Sequence, residues 1–180
     1  HRAFPQTYFP ERPGFFFIAF TKHLIPMTDT SIRRATGGDA EAILRLIQDL
    51  AEQHNASQMI VWNADDLREK GLEAEHPVFE ALVAENRDGQ IVGCAIYFER
   101  FSTWKGPNLH IEDLMVLPEY RGQHIGEALM DAVVAEARRR GMNRVELDVE
   151  GHNEGAMRFY HREGFDTSWH AAKLYLDGEH

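Results

Sequence analysis

Residues 112–129 read Glu-Asp-Leu-Met-Val-Leu-Pro-Glu-Tyr-Arg-Gly-Gln-His-Ile-Gly-Glu-Ala-Leu. Two carboxylates open an apolar run of strand character, Pro118 stops it, a glycine-bearing turn follows, and an amphipathic helix begins. Such a turn points several unpaired backbone N–H groups at one spot, and the helix dipole makes that spot attractive to anions. A phosphate binder therefore sits one strand-length from candidate acid/base groups.

Outward from this unit the elements alternate, and no internal repeat is present. Ser31–Arg34 reads as a short strand. Asp39 can cap a helix running through Glu52, with Ile43, Leu44, Ile47, Leu50 and Ala51 on one face. Asn63, Asp65 with Asp66, and Gly71 bracket a second, short helix. Val78–Glu85 and Ile91–Arg100 read as strands joined by the hairpin signal Arg87-Asp88-Gly89, and the turn Trp104-Lys-Gly-Pro leads to a strand over Leu109–Val116. The helix from Ile125 to Arg140 buries Ile125, Ala128, Leu129, Ala132 and Val133; Arg138–Arg140 complement its dipole and Gly141 ends it. Val145–Val149 is a strand, Asn153–Glu163 a helix, and Phe165–Leu176 a final strand region. The expected class is α/β (α+β): a mixed sheet, antiparallel in its first half, with crossover helices later.

Composition narrows the function. At 180 residues, 43% hydrophobic and 27% charged, the chain is an ordinary one-domain globule. A net charge of −10 speaks against nucleic acid bound through a basic patch. No window reaches the ~18–20 apolar residues that span a bilayer, so no membrane partner is expected. The single Cys94 excludes an intramolecular disulfide and points to a reducing, cytoplasmic compartment. Following Gly93 in an apolar run, it reads as a core thiol.

Residues 1–26 read differently from the rest. Three of the seven prolines fall in the first thirteen residues, and Phe15–Phe20 is too short for a span. Met27 resembles a natural start, so residues 1–26 are expected to be an extension that the domain at 27–180 does not need.

Taken alone, Arg121-Gly-Gln-His-Ile-Gly is also compatible with plain turn chemistry. There is no GxxxxGK[ST] for a nucleoside triphosphate and no GxGxxG after an early strand, which leaves a turn suited to a diphosphate. Ten histidines occur, and His110-x-Glu112 invites a metal reading. No HExxH or spaced Cys/His set accompanies it, so no metal is expected. No Gly-x-Ser-x-Gly elbow supports serine hydrolysis.

The order of elements and several local runs resemble the GNAT N-acetyltransferase family, within it the diamine (spermidine/spermine) and thialysine acetyltransferase branch. The resemblance covers 31–176. It rests on Arg121 and Gly126 of the phosphate motif, Ile-Leu-Arg-Leu-Ile at 43–47, Glu-His-Pro at 75–77 and Leu-Val-Ala-Glu at 82–85. Ser-Thr-Trp-Lys-Gly at 102–106, Glu-Asp-Leu-Met-Val at 112–116, Pro-Glu-Tyr-Arg-Gly at 118–122, and Asn153 with Phe159-Tyr160 extend it. There are two departures. His124 stands where the motif has its central glycine, and a Cβ there strains any positive φ. The first helix ends Gln53-His54, where polyamine-acetylating relatives offer an aromatic or acidic pair.

The resemblance implies a GNAT fold, mostly antiparallel and flanked by helices, working as a homodimer. It implies acetyl transfer from acetyl-CoA directly to a primary amine of a small cationic molecule such as a diamine, polyamine or lysine analogue. Leu114, Met115 and Val116 would offer main-chain groups to pantetheine. Arg121, Gly122, Gln123, His124, Ile125, Gly126 and Glu127 would wrap the diphosphate, with Asn153 and Ala156 bordering the cofactor. Tyr160 would protonate the leaving thiolate.

The chemistry itself needs a base, because an ammonium has no lone pair until it loses its proton. On a regular strand Glu112 and Asp113 would face opposite sides. Glu112 is the candidate base, through water, and Asp113 holds substrate or structure; a pair merely capping a sheet edge is the alternative. Glu146 and Asp148 could share one side of the next strand and bind a cationic substrate, although a solvated strand face looks the same. A protein or peptide amine as acceptor, and a non-catalytic acyl-CoA-binding module, remain open alternatives at this stage.

Overall fold

Val92–Tyr97 is buried residue by residue, which requires a central strand covered on both faces. A computed structural model describes residues 29–167, and in it this run is the middle of a five-stranded sheet. The elements are β1 (Thr30–Arg34), α1 (Ala40–Gln53), α2 (Ala64–Leu67), β2 (Glu80–Asn86), β3 (Ile91–Ser102), β4 (Gly106–Val116), α3 (Ile125–Arg139), β5 (Val145–Leu147) and α4 (Glu154–Arg162). The sheet order is β1-β2-β3-β4-β5; β1 to β4 pair antiparallel and β5 lies parallel to β4. The expected mixed, mostly antiparallel sheet is therefore present. Of the expected last strand, Phe165–Thr167 is irregular and the remainder lies outside the described residues, as does the extension at 1–26.

Each face of the sheet has its own core. Ile43 and Leu46 of α1 pack on Val83, Cys94, Ile96 and Met115. Ile125, Leu129 and Val133 of α3 pack on Val92, Ala95, Tyr97, Leu109 and Ile111. Cys94 is a free, buried thiol. At the far end of α3, Gly141 takes a left-handed φ of 71°, and Met142 N–H donates to the Ala137 carbonyl at 2.9 Å. The helix thus stops at the glycine the sequence marks. Beside it, Arg140 bonds Glu80, Glu99 and Glu136, which ties α3 to β2 and β3.

The start of α1 shows how a buried charge is held. Asp39 accepts both guanidinium nitrogens of Arg33 at 2.8 Å, and the Thr36 N–H and hydroxyl at 2.8 and 3.0 Å. The Arg33 guanidinium holds its carboxyl at about 2, below the ordinary 3.8. A depressed carboxyl stabilises the fold above its unfolded pKa, and that stability is lost as the pH falls through 3.8 toward 2. Asp39→Asn is expected to cost about 2–3 kcal/mol at pH 7 and little at pH 2, as urea unfolding at the two pH values will show. An equal loss at both would place the effect in packing.

Candidate active site

β4 and β5 pair only where Leu109, His110 and Ile111 meet Val145, Glu146 and Leu147. Beyond Ile111 they part. The main chain from Glu112 to Val116 has no strand partner on that side among the described residues. At the same point β4 carries a bulge, since Tyr97 pairs with Ile111 and Ile96 with Asp113, leaving Glu112 as an extra residue. An added residue reverses which later side chains face which side. Leu109 and Ile111 pack toward α3, and after the bulge so do Leu114 and Val116, while Met115 packs toward α1. The strand is not regular at the two carboxylates, so the bulge, and not simple alternation, sets their directions.

The outcome separates them. Glu112 is exposed. Asp113 is half-buried, and burial, reinforced by the adjacent Glu112, pushes its carboxyl from 3.8 up to about 6. Asp113 is also close enough to act on Cys94 and Tyr160, raising the proton affinity of both. Tyr160 sits on α4 with its ring edge-on to Phe159 at 5.3 Å and Phe165 at 5.7 Å. Burial, then Asp113, lifts its phenol above the ordinary range, which is already high enough to keep the O–H at neutral pH.

A cleft of about 470 Å³ lies beside Tyr160, and neither Glu112 nor Asp113 is among its lining residues. Its floor is Leu114, Met115, Val116 and Leu117; one wall is Asn153, Ala156, Phe159 and Tyr160; the other is Leu46, Asp49, Leu50, Gln53 and His54 of α1. Pro118, Arg121 and Gly126 close the end. Leu114, Met115, Val116, Arg121, Gly126, Asn153, Ala156 and Tyr160 are thus brought together as the sequence reading anticipates. The α1 wall at 46, 49, 50 and 53 went largely unread, although its spacing of three and four residues marks one helix face. A second cleft of about 370 Å³ beside Phe79 and Phe98 has its carboxylates, Glu80 and Glu99, committed to Arg140.

The turn has the anticipated form. Gly122 takes φ 75°, and His124 takes φ 61°, ψ 14°, immediately before α3. For a residue with a Cβ that conformation costs roughly 1–2 kcal/mol. The His124 Nδ1 lies 2.5 Å from Glu127, whose other oxygen accepts from Arg162 of α4 at 2.8 Å. Gln123 donates to the Glu119 carbonyl, and the Ile125 side chain is core, so only its main chain is free for a ligand. Arg121 donates to the Val116 carbonyl at 3.1 Å and to Gln53 at 2.8 Å, bridging the turn to α1. Asn153 accepts the Ala156 N–H at 3.0 Å, capping α4 while bordering the cleft.

Glu146 and Asp148 do not join this group. Glu146 lies where β5 still pairs with β4, bound by Arg144 at 2.6 Å with Arg100 at 3.7 Å. Asp148 is exposed beyond the strand, and neither lines the cleft. Among the described residues no group of three His, Cys, Asp or Glu side chains is placed to hold a metal ion, and no helix is long and apolar enough to cross a membrane.

This geometry has counterparts. Residues 41–165 match the Acetyltransferase (GNAT) family. The chain is a GNAT acetyltransferase. The enzyme is 38% identical over 160 residues to thialysine N-epsilon-acetyltransferase of Bos taurus, covering 82% of this chain and 94% of the relative. The Mus musculus protein of that name is 35% identical, covering 74% and 82%. Among solved structures the acetyltransferase resembles a Trypanosoma brucei acetyltransferase, with a TM-score of 0.62 and 28% identity over 82% of this chain and all 100% of that one.

Proposed function

We propose that this acetyltransferase moves the acetyl group of acetyl-CoA directly to a primary amine of a small cationic molecule, such as a diamine, polyamine or lysine analogue. The observation that carries the reading is that Asp113, where β4 and β5 part, acts on the Tyr160 phenol of α4, beside an anion-attracting turn.

The residues present fit the cofactor. Leu114–Val116 offer a main-chain edge without a strand partner to the amides of pantetheine, Arg121 occupying the Val116 carbonyl, and a main-chain N–H of this run can donate to a developing oxyanion. The turn from Gly122 to Glu127 offers helix N-terminal N–H groups to the diphosphate, with Arg121 beside it. When bound, acetyl-CoA supplies an activated acetyl thioester. Asp113, ionised at neutral pH, holds the incoming ammonium; Glu112, exposed to solvent, takes its proton through water. The Tyr160 O–H donates to the departing sulfur. Asp49, on the opposite wall, is available to a second positive charge.

A panel of small amines and lysine-bearing peptides, followed by release of coenzyme A thiol, tests the reading. Turnover on diamines or lysine analogues is expected. Turnover confined to peptides, or none with any amine, would overturn it. A homodimer belongs to the same proposal, supported by Phe101 and Trp104 at the tip of the β3–β4 hairpin, 73% and 89% exposed. Sedimentation at the monomer mass would remove that part.

A further inference from the structure

Gln53 closes α1 and meets Arg121, 68 residues further along the chain, across the end of the cleft. Its amide is used at both ends. Nε2 donates to the Asp49 carbonyl one helical turn back at 3.0 Å, and Oε1 accepts from Arg121 Nη2 at 2.8 Å. The first bond fixes which end of the amide faces Arg121, so Gln53 presents an acceptor there and no donor. Its neighbour His54 lies 3.5 Å from Glu150, in the loop before α4. Both side chains at the end of α1 are thus turned to partners in the fold.

Arg121 is held at two of its five N–H groups, Nε by the Val116 carbonyl at 3.1 Å and Nη2 by Gln53. A single bond would let the guanidinium pivot. Contacts on two edges of a planar fork set its plane as well as its place. The other three N–H groups have no protein partner among the described residues, and they stand at the end of the cleft where the turn before α3 gathers its main-chain donors. An exposed arginine loses rotamer freedom when it clamps an anion, and that loss weakens binding. Here much of the loss is already met in the folded chain.

We propose that Gln53 is a positioning residue for the cofactor: it holds the Arg121 guanidinium ready at the diphosphate end of the cleft, and so acts on coenzyme A affinity through Arg121 and not on the amine. This rests on the acetyl-CoA reading above.

Gln53→Met keeps the length of the side chain and removes the acceptor. Titration calorimetry with coenzyme A at pH 7 is expected to show binding about three- to tenfold weaker, as one side chain ordered only on binding implies. KM for acetyl-CoA should rise with it, whereas kcat and the KM for the best amine of the panel above should hold within about twofold. The melting temperature should be unchanged. In an Arg121→Met background there is no guanidinium to hold, so the same substitution should alter coenzyme A affinity by less than about twofold. Gln53→Ala, too short to reach Arg121, should repeat both results. Equal weakening in the two backgrounds would overturn the proposal, as would native coenzyme A affinity in Gln53→Met. A rise confined to the amine KM would also overturn it and assign Gln53 to the acceptor. If Arg121→Met binds too weakly to titrate, the split between acetyl-CoA and amine in the single variants decides. Failure of the native enzyme to bind coenzyme A at all would instead overturn the acetyl-CoA reading.

Discussion

Tyr160→Phe is expected to lower kcat by about one to four powers of ten with little change in stability or in affinity for coenzyme A. The substitution keeps the ring that packs on Phe159 and Phe165 and removes only the O–H. Loss of a positioned general acid has a cost of this size, because the thiolate must otherwise leave with water as its donor. The phenol carries its proton at neutral pH as any tyrosine does, and burial with Asp113 only strengthens its hold on it. Thiol release at saturating amine gives kcat, and thermal unfolding of the same sample checks the fold. An unchanged kcat removes Tyr160 from the reaction. A matching loss of stability would assign it to packing.

Asp113→Asn is expected to raise KM for a diamine about ten- to a hundredfold, the usual worth of one charge-assisted hydrogen bond. It should also abolish an acid limb of kcat/KM near pH 6, where the native carboxyl titrates. The same variant should be more stable. A carboxyl raised from 3.8 to about 6 favours its protonated form in the fold, so its destabilisation is absent below 3.8 and complete above about 6. Removing that charge should add about 1–3 kcal/mol at pH 7 and nothing at pH 3.5. A gain in stability joined to a loss of activity is the signature of a group kept for function. An Asn variant with native KM and an intact acid limb would transfer the role to Glu112. Asp39 offers the internal contrast: it is the more deeply buried carboxylate, but Arg33 satisfies it, so its removal weakens the fold.

Much of this architecture was legible one element at a time. The two long helices, all five strands, the Asn63 and Asn153 caps and the stop at Gly141 come from local periodicity and capping chemistry, which neighbouring residues specify on their own. The anion turn at 121–127, and Tyr160 as a candidate, were likewise readable, because a strand, a proline, glycines and a helix start lie consecutively in the chain. Three matters needed the assembled molecule. The bulge at Glu112 arises from pairing β4 against β3, a relation between residues more than ten positions apart, and it directs Asp113 where alternation alone does not. The parting of β4 from β5 after Ile111, which opens the cleft, is a relation between two strands that the whole of α3 separates in the chain. The raised carboxyl of Asp113, and the removal of Glu146 to an arginine pair, follow from burial and from partners brought together across the fold. Periodicity and caps act over a few residues, whereas registry, solvent exclusion and charge pairing exist only once distant segments touch.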